Sequence, residues 1–444
     1  MPPVDNVEQL TWVKSLEWGY YKHPPLTTWV FSLPVFLFGQ SAHVSYVTGA
    51  LVTLAAVLLQ WRLLVELRGP RYASLASAAV LCITYYNDRL YYYNHNVVLM
   101  FFASAAAFLC WRACLTGGIG WWALLGAALG LGMLTKYQMA IVLLCVVLYW
   151  VWQRGWASAA QRRGLLFAGL IALVIFAPHV QWLRTHDFAP VEYARDTSLG
   201  AHVILSARAG RASHWLADQL LNRAIAAWLL LSVAFISARS RRVEAPHTQV
   251  AEGRALLVIW GVVPLVCMAA IGLLLGADLQ LQWGTAFLLF AVPAAMEIMA
   301  HSAWSQYRLR SVVIAFVALQ GVMLCINFLT SPRGPVSMRD THSRAFDVAA
   351  LAAALGDPAR NALSGPICVV SGPAALAGAL ALEFPEHPLV LIDGRIDRSP
   401  WIYQRTLGEC GVIEIWENHA ERGQAVGGNF PGITWRAAGV LNLR

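Results

Sequence analysis

The chain has 444 residues, of which 58% are hydrophobic and only 13% are charged. A soluble domain carries about 25% charged residues, so this composition excludes a soluble globular protein, and it also excludes a disordered, collagenous or coiled-coil chain. The formal net charge of +8 could point to nucleic acid, but residues 333–444 hold 10 Arg against 11 Asp and Glu. The positive excess therefore lies in short loops between the apolar runs of residues 1–332, which is typical of a cytoplasm-facing membrane surface and argues against nucleic-acid binding. We predict a polytopic α-helical membrane protein.

Ten apolar runs are candidates for membrane-spanning helices, because each is near the ~20 residues that cross the hydrocarbon core. They are 44–67, 72–87, 97–114, 120–134, 137–153, 164–180, 222–238, 255–276, 283–300 and 311–330.

The distribution of basic residues predicts the orientation of these spans. If the loop 61–72 faces the cytoplasm, the loops on its side hold 13 Arg. The short segments on the other side hold only Lys14, Lys22, Arg89 and Lys136. Because basic residues concentrate in cytoplasmic loops, the second side is predicted to be the outer, periplasmic face of a bacterial inner membrane. That face then collects residues 1–43, 88–96, 135–137, 181–221, 277–282 and everything after about 331.

Both ends of the chain differ from the spans. Residues 26–39 are apolar but too short to span, and Pro34 breaks them, so they are predicted to lie as a helix in the outer interface. No apolar segment before Val4 could carry the N-terminus across, so we expect that the chain begins late or lacks a first spanning helix.

Residues 340–444 alternate strand and helix signals, which predicts a small soluble α/β domain in the periplasm. The expected domains are 1–43 (outer loop with the interfacial helix), 44–330 (multi-span membrane domain) and 340–444 (periplasmic α/β domain).

The eight cysteines fit this arrangement. Six lie in the apolar runs, where a free thiol acts as a small hydrophobic group. Cys368 and Cys410 lie in the predicted periplasmic domain, an oxidising compartment, so they could form a disulfide.

The first outer segment concentrates polar side chains. Asp5 and Glu8 are three residues apart, so a helix would place both carboxylates on one face, where they could share a cation or one could act as a base. Lys22 and His23 precede Pro24, which holds His23 extended and presents both side chains just before the interfacial helix. A solvated interfacial linker with aromatic anchors would explain the same residues without any chemistry.

The same segment resembles a known family. An acidic pair followed by the run 18–26 (WGYYKHPPL) resembles the first outer loop of the GT-C membrane glycosyltransferases, in the branch (glycosyltransferase family 39-like) of the protein O-mannosyltransferases and the aminoarabinose transferase of lipid A. Three more segments agree in order along the chain: 130–137 (GLGMLTKY), 177–188 (APHVQWLRTHDF) and 282–285 (QWGT). The resemblance covers residues 5–330.

The resemblance implies an inverting glycosyltransferase that moves a sugar from a polyprenyl-phosphate donor to an envelope acceptor (lipid A, another glycan or a protein) on the outer face. A carboxylate in the family's first outer loop deprotonates or orients the acceptor hydroxyl; Asp5 matches it, and Glu8 is the second catalytic candidate. The departing phosphate carries about −1.5 to −2 charge, so basic groups on the outer rim suit its stabilisation. The candidates for binding the donor phosphate or the substrate are Lys22, His23, Arg89, Lys136 and Tyr137.

Several alternatives stay open at this point. Where some relatives have a second carboxylate after the third span, this chain has the run 93–96 (YNHN), which puts a second acidic role in doubt. Relatives differ in metal use, and His23 with His186 could hold a divalent ion, although no ligand spacing supports one. A transporter or flippase for a lipid-linked substrate is the main alternative, against which the spans hold almost no ionisable residues. An inactive relative that acts in membrane assembly is the other.

Overall fold

The computed structural model of the chain is mostly helical and ends in a small five-stranded sheet. It describes the following residues: 1–87, 89–198, 204–238, 247–299, 303–331, 333–335, 337, 346–403, 411–417, 423–426, 430 and 432–438. The helices that precede the sheet are, in chain order, α1 (Val4–Trp12), α2 (Leu26–Phe38), α3 (Ala42–Arg68), α4 (Pro70–Val80), α5 (His95–Thr116), α6 (Ile119–Met133), α7 (Met139–Trp152), α8 (Ala159–Thr185), α9 (Ala189–Thr197), α10 (Leu205–Ala217), α11 (Ile225–Ser237), α12 (His247–Leu274), α13 (Leu288–Met299), α14 (Ala303–Gln306) and α15 (Leu309–Thr330).

Within these ranges five helices are long and apolar enough to cross a membrane: α3, α5, α8, α12 and α15. The segments Leu205–Arg223 and Ile225–Ser237 would form a sixth span, bent by 53° at the break between them. Helices α6, α7 and α13 are apolar but shorter, at 15, 14 and 12 residues. The prediction of a membrane protein is therefore confirmed, whereas the number of ten spans remains a prediction.

Two of the expected spans have the wrong bounds. Helix α4 ends at Val80, and residues 81–87 form turns and a short 3-10 helix rather than the rest of a span over 72–87. The cause is the pair Tyr85 and Tyr86, whose hydroxyls donate to the backbone oxygens of Leu281 and Thr285 and so hold this segment as a buried connection. The run 283–300 is shortened in the same place, because a 3-10 turn over Leu281–Gly284 delays the start of α13.

Helix α2 also differs from the expectation in one respect. Pro34 does not break it, because the helix continues from Leu26 to Phe38 with the proline inside. Its 13 residues are too few to span a membrane, and Leu33, Phe36 and Phe38 are exposed on it. An exposed apolar surface on a short helix is what an interfacial helix needs.

The C-terminal part is an α/β unit. Its elements are α16 (Val348–Leu363), β1 (Ile367–Gly372), α17 (Ala374–Glu383), β2 (Leu389–Ile392), β3 (Gly411–Glu417), β4 (Gln424–Ala425) and β5 (Ile433–Ala438). The strand order is β2-β1-β3-β5-β4, with β1 parallel to β2 and β3, and β5 antiparallel to β3 and β4. The Ala-rich helix α17 connects the parallel strands β1 and β2, which need a crossover of this kind. Cys368 on β1 forms a disulfide, and Cys410, the partner predicted for it, lies outside the described residues.

The core of the C-terminal unit extends beyond its own residues. Four side chains of the first outer segment, Val7, Trp12, Tyr20 and Tyr21, are buried in the same apolar cluster as the strands and helices of this unit. Helix α1 packs directly on α17. The unit therefore sits on the first outer segment and helps to position it.

Candidate functional site

A cavity of about 480 Å³ opens between α1, α9, the end of α12 and the loops that follow α1, α4, α6 and α12. The polar and charged residues that line it are Asp5, Glu8, Lys22, His23, Asn94, His95, Asn96, Lys136, Gln138, Thr197, Ser198, Gln280 and Gln282. Its aromatic and apolar lining comprises Tyr137, Pro190, Tyr193, Ala194, Met268, Ile271 and Trp283. Six of the predicted site residues thus come together: Asp5, Glu8, Lys22, His23, Lys136 and Tyr137.

Helix α1 places Asp5 and Glu8 on the cavity side, as their spacing predicts. The amide of Asn94 donates to Asp5 Oδ2 at 2.8 Å and fixes the orientation of this carboxylate. On the membrane side of the helix the Asn6 amide donates to Ser45 Oγ at 2.9 Å. These bonds from α3 and from the start of α5 hold α1 at the cavity wall.

Glu8 forms an ion pair with Lys22, and both side chains are largely buried, with 5% and 17% exposed. Reciprocal backbone bonds between Tyr20 and His23, of 2.9 and 3.2 Å, form the tight turn that carries Lys22. Burial on its own would lower the pKa of Lys22, but the Glu8 carboxylate outweighs it and holds that pKa above its ordinary value. Lys22 is therefore charged, and its charge is already balanced by Glu8.

Two histidines meet at the back of the cavity. The rings of His23 and His95 lie 4.0 Å apart between centroids, and burial, followed by the neighbouring positive groups, lowers the pKa of His23 well below its usual range. His23 is therefore a neutral imidazole at pH 7. Nε2 of His95 is buried and has no hydrogen-bond partner among the described residues.

Lys136 lies in the loop between α6 and α7 and is only 8% exposed. Its Nζ donates to Asn96 Oδ1 at 2.7 Å and lies 5.2 Å from the ring centroid of Trp283. Burial lowers the pKa of Lys136 to about 7, and Asp5 offsets this shift only in part. An anion that enters the cavity would restore the positive charge of this ammonium.

Tyr137 lines the cavity with its ring, while its hydroxyl points away from it. The hydroxyl donates to Nε2 of His179 at 2.9 Å, and Nδ1 of His179 donates to the Trp18 carbonyl at 2.6 Å. His179 is fully buried and both of its nitrogens are bonded, so it is a structural histidine.

The structure does not bring the other predicted residues, Arg89 and His186, into the cavity. The Arg89 guanidinium lies over the ring of Tyr92, 5.4 Å from its centroid, beside a small neighbouring recess. His186 is exposed and stacks on Trp182 at 4.2 Å, so the expected metal pair of His23 and His186 does not form.

The side chains around the cavity also form a poor binding site for a divalent metal ion. Across the described ranges, no group of three or more His, Cys, Asp and Glu side chains converges on one point. Glu8, which lines the same cavity as His23, is held by the Lys22 ammonium. We therefore derive no step through a metal.

Sequence reasoning missed several cavity residues, chiefly Asn96, Gln138, Tyr193 and Trp283. The sequence signal for Asn96 was its place in the polar run 93–96, and Trp283 lies in the motif 282–285. Nothing in the sequence marks Tyr193, whose ring lies 5.2 Å from the Lys22 Nζ.

Comparisons with known proteins find similar sequences over part of the chain. Residues 22–182 match the family described as dolichyl-phosphate-mannose-protein mannosyltransferase. The lipid A galacturonosyltransferase RgtD of Rhizobium johnstonii is 24% identical over 224 residues, an alignment that covers 47% of this chain and 44% of that protein. The chain thus matches less than half the length of this curated relative.

Solved structures show the same fold. The crystal structure of ArnT from Cupriavidus metallidurans bound to undecaprenyl phosphate has a TM-score of 0.62 at 14% identity, with 98% of this chain and 93% of that chain covered. The oligosaccharyltransferase of Archaeoglobus fulgidus, in complex with Zn and sulfate, has a TM-score of 0.50 at 11% identity, covering 94% of this chain and 64% of that chain. The resemblance to GT-C membrane glycosyltransferases that the sequence motifs predicted is confirmed.

Proposed function

Because the chain has the fold of the GT-C membrane glycosyltransferases, we propose that it transfers a sugar from a polyprenyl-phosphate donor to an envelope glycolipid of the lipid A class. The transfer takes place in the 480 Å³ cavity, on the periplasmic face of the inner membrane. RgtD is a lipid A galacturonosyltransferase, which supports this acceptor class, and the undecaprenyl phosphate bound to ArnT supports this lipid carrier.

One observation carries the proposal: the Asp5 carboxylate and the buried Lys136 ammonium line the same cavity. Asp5 comes from α1 and Lys136 from the loop before α7, and they are close enough for Asp5 to influence the pKa of Lys136. Glycosyl transfer needs a base at the acceptor hydroxyl and a positive group at the leaving phosphate. Asp5 and Lys136 meet these two needs without a covalent enzyme intermediate.

The proposed reaction is a single displacement. One oxygen of Asp5 accepts the proton of the acceptor hydroxyl, while Asn94 holds Oδ2 of the same carboxylate. The acceptor oxygen bonds to the anomeric carbon as the bond from that carbon to the phosphate oxygen breaks. The electron pair stays on the polyprenyl phosphate, whose added charge the Lys136 ammonium stabilises, and the anomeric configuration inverts.

The surroundings of the cavity suit a lipid-linked donor. Met268 and Ile271 on α12 form an apolar wall, and α12 continues to the exposed Leu274. A polyprenyl chain can follow this apolar surface while its phosphate stays at the polar end of the cavity. The excess of Arg in the loops of the opposite side supports the assignment of the cavity to the outer face.

Neither alternative function has a comparable observation in its favour. The named relatives are transferases, which does not favour a transporter. An inactive assembly factor would have no reason to keep a buried ammonium of lowered pKa beside a carboxylate, since such a group costs stability.

The test is transfer of sugar in vitro from a synthetic polyprenyl-phosphate sugar to purified lipid A, with Asp5→Asn beside wild type. The amide keeps the shape and the Asn94 contact but cannot accept a proton, so we expect kcat to fall by about a hundredfold or more. Binding of polyprenyl phosphate should persist in the variant. Wild-type turnover in Asp5→Asn would contradict the assigned base, and absence of transfer by wild type from every donor tested would contradict the proposed function.

A further inference from the structure

We infer that the C-terminal α/β unit sets the position of the carboxylate-bearing helix α1, and that Gly378 is the positioning residue at the contact. The inference rests on the proposed function, since it concerns how the proposed base Asp5 is held. It gives the C-terminal unit a role in positioning the cavity wall.

Helix α1 is shared between two environments. Asp5 and Glu8 line the cavity, whereas Val7 and Trp12 are completely buried in the core of the C-terminal unit. Because Val7 lies between the two carboxylate residues in the chain, any displacement of Val7 moves both of them.

Helix α17 approaches α1 closely at Gly378. A Cβ placed on Gly378 would lie 2.5 Å from Cγ1 of Val7 and 3.1 Å from Oγ1 of Thr11. Both distances are too short for an unstrained contact, so any larger residue at position 378 must push the two helices apart.

The composition of α17 supports a positional reason for this glycine. The helix reads AALAGALALE, and a helix interior favours Ala over Gly. Ala flanks the site in an otherwise Ala-rich helix, so local propensity would favour Ala at 378 as well. The close approach to α1 explains why glycine stands there instead.

A second contact links the same two parts of the chain. The Arg398 guanidinium, in the loop after β2, lies 5.1 Å from the ring centroid of Tyr21, next to Lys22. Asp393 pairs with Arg398 at 2.7 Å and fixes this guanidinium. The C-terminal unit therefore contacts both α1 and the turn that carries the partner of Glu8.

The experiment compares Gly378→Ala in the full-length membrane protein with the matched control Gly356→Ala. Gly356 lies in α16 of the same unit, where a Cβ would meet only the flexible end of the Arg360 side chain. We expect Gly378→Ala to lower kcat by about tenfold or more, because small misplacements of a reacting group are costly. The donor KM should stay unchanged, because Lys136 lies outside α1. The control should keep both parameters.

Rescue separates positioning from general damage. The double variant Val7→Ala/Gly378→Ala removes the methyl group that the new Cβ would strike, so kcat should return to the wild-type range. A wild-type kcat in Gly378→Ala, a loss confined to the donor KM, or a double variant as slow as the single one would each overturn the inference.

Amide hydrogen exchange over residues 4–12 gives a readout that does not depend on turnover. Protection should fall in Gly378→Ala and recover in the double variant, and unchanged protection in Gly378→Ala would overturn the inference. If wild type transfers no sugar, the proposed function fails, while the exchange data still decide whether Gly378 positions α1.

Discussion

The Lys136 ammonium donates to the side-chain oxygen of Asn96, 2.7 Å away, on the wall of the cavity. An amide oxygen accepts this bond without neutralising the charge, so the ammonium keeps its capacity to balance an anion. Burial at the same time lowers the pKa of Lys136 to about 7. The fraction of Lys136 that is charged near pH 7 therefore rises when an anion such as phosphate lies beside it.

The pH dependence of donor use should follow Lys136. The donor phosphodiester stays anionic, whereas the free enzyme loses the Lys136 charge as pH rises above about 7. We expect kcat/KM for the donor to fall above pH 7, approaching about tenfold per pH unit. In Lys136→Arg the side chain stays charged, so this decline should disappear, whatever the absolute rate. An identical alkaline decline in both enzymes would contradict the assignment.

Asn96→Asp should weaken donor binding. A carboxylate at this position would pair with Lys136, raise its pKa and cancel the charge that meets the phosphate. We expect a donor KM increased by about tenfold or more, with the alkaline decline shifted to higher pH. Asn96→Ser, which keeps an uncharged acceptor, is the matched control and should raise KM less. Steady-state kinetics with a range of donor concentrations measures both effects.

Glu8 and Lys22 can be tested as a pair. Glu8→Gln leaves the largely buried Lys22 ammonium without its carboxylate, and breaking such a pair costs about 3 kcal/mol or more. We expect a clear loss of thermal stability in detergent, which Glu8→Gln/Lys22→Met should largely reverse. Transfer activity of this double variant then tests the predicted catalytic role of Glu8: activity near that of wild type would limit Glu8 to a structural role.

A buried ion pair on the opposite side of the bundle should behave in the same way. Arg68 Nη2 lies 2.8 Å from Glu297 Oε2, with 13% and 8% of the two side chains exposed, and it joins α3 to α13. We expect Glu297→Leu to cost about 3–5 kcal/mol, because it leaves a buried guanidinium without its carboxylate. Arg68→Met/Glu297→Leu should recover most of that loss in thermal unfolding. A single variant as stable as wild type would show that the pair contributes little.

Much of the site could be predicted from local patterns. The spacing of Asp5 and Glu8 on one helix face requires only helical geometry. Counting basic residues placed Lys22 and Lys136 in outer segments, and both line the same cavity. Helix α1 is a local structure, so the spacing of its residues was sufficient, whereas the turn at 20–23 was not predicted.

The remaining features depend on contacts between distant segments. Residues 81–87 looked like the end of a span because Tyr85 and Tyr86 count as apolar, although their hydroxyls bond to backbone oxygens near α13. Arg89 had the right charge and the right side of the membrane, but its guanidinium lies over Tyr92. The sequence around Gly378 does not show why glycine is needed there, because the contact that requires it is with Val7, far away in the chain.

The shared core of α1 and the C-terminal unit has a consequence for biosynthesis. Helix α1 leaves the ribosome before the C-terminal unit, yet Val7 and Trp12 are buried in a cluster built largely from residues beyond 347. Contacts between such distant segments form late. A nascent chain that stops before α17 can insert its spans, but it leaves Val7 without the helix that covers it. The cavity wall formed by α1 thus gains its support from a segment synthesised after the spans, so translation products that stop before α17 lack this support.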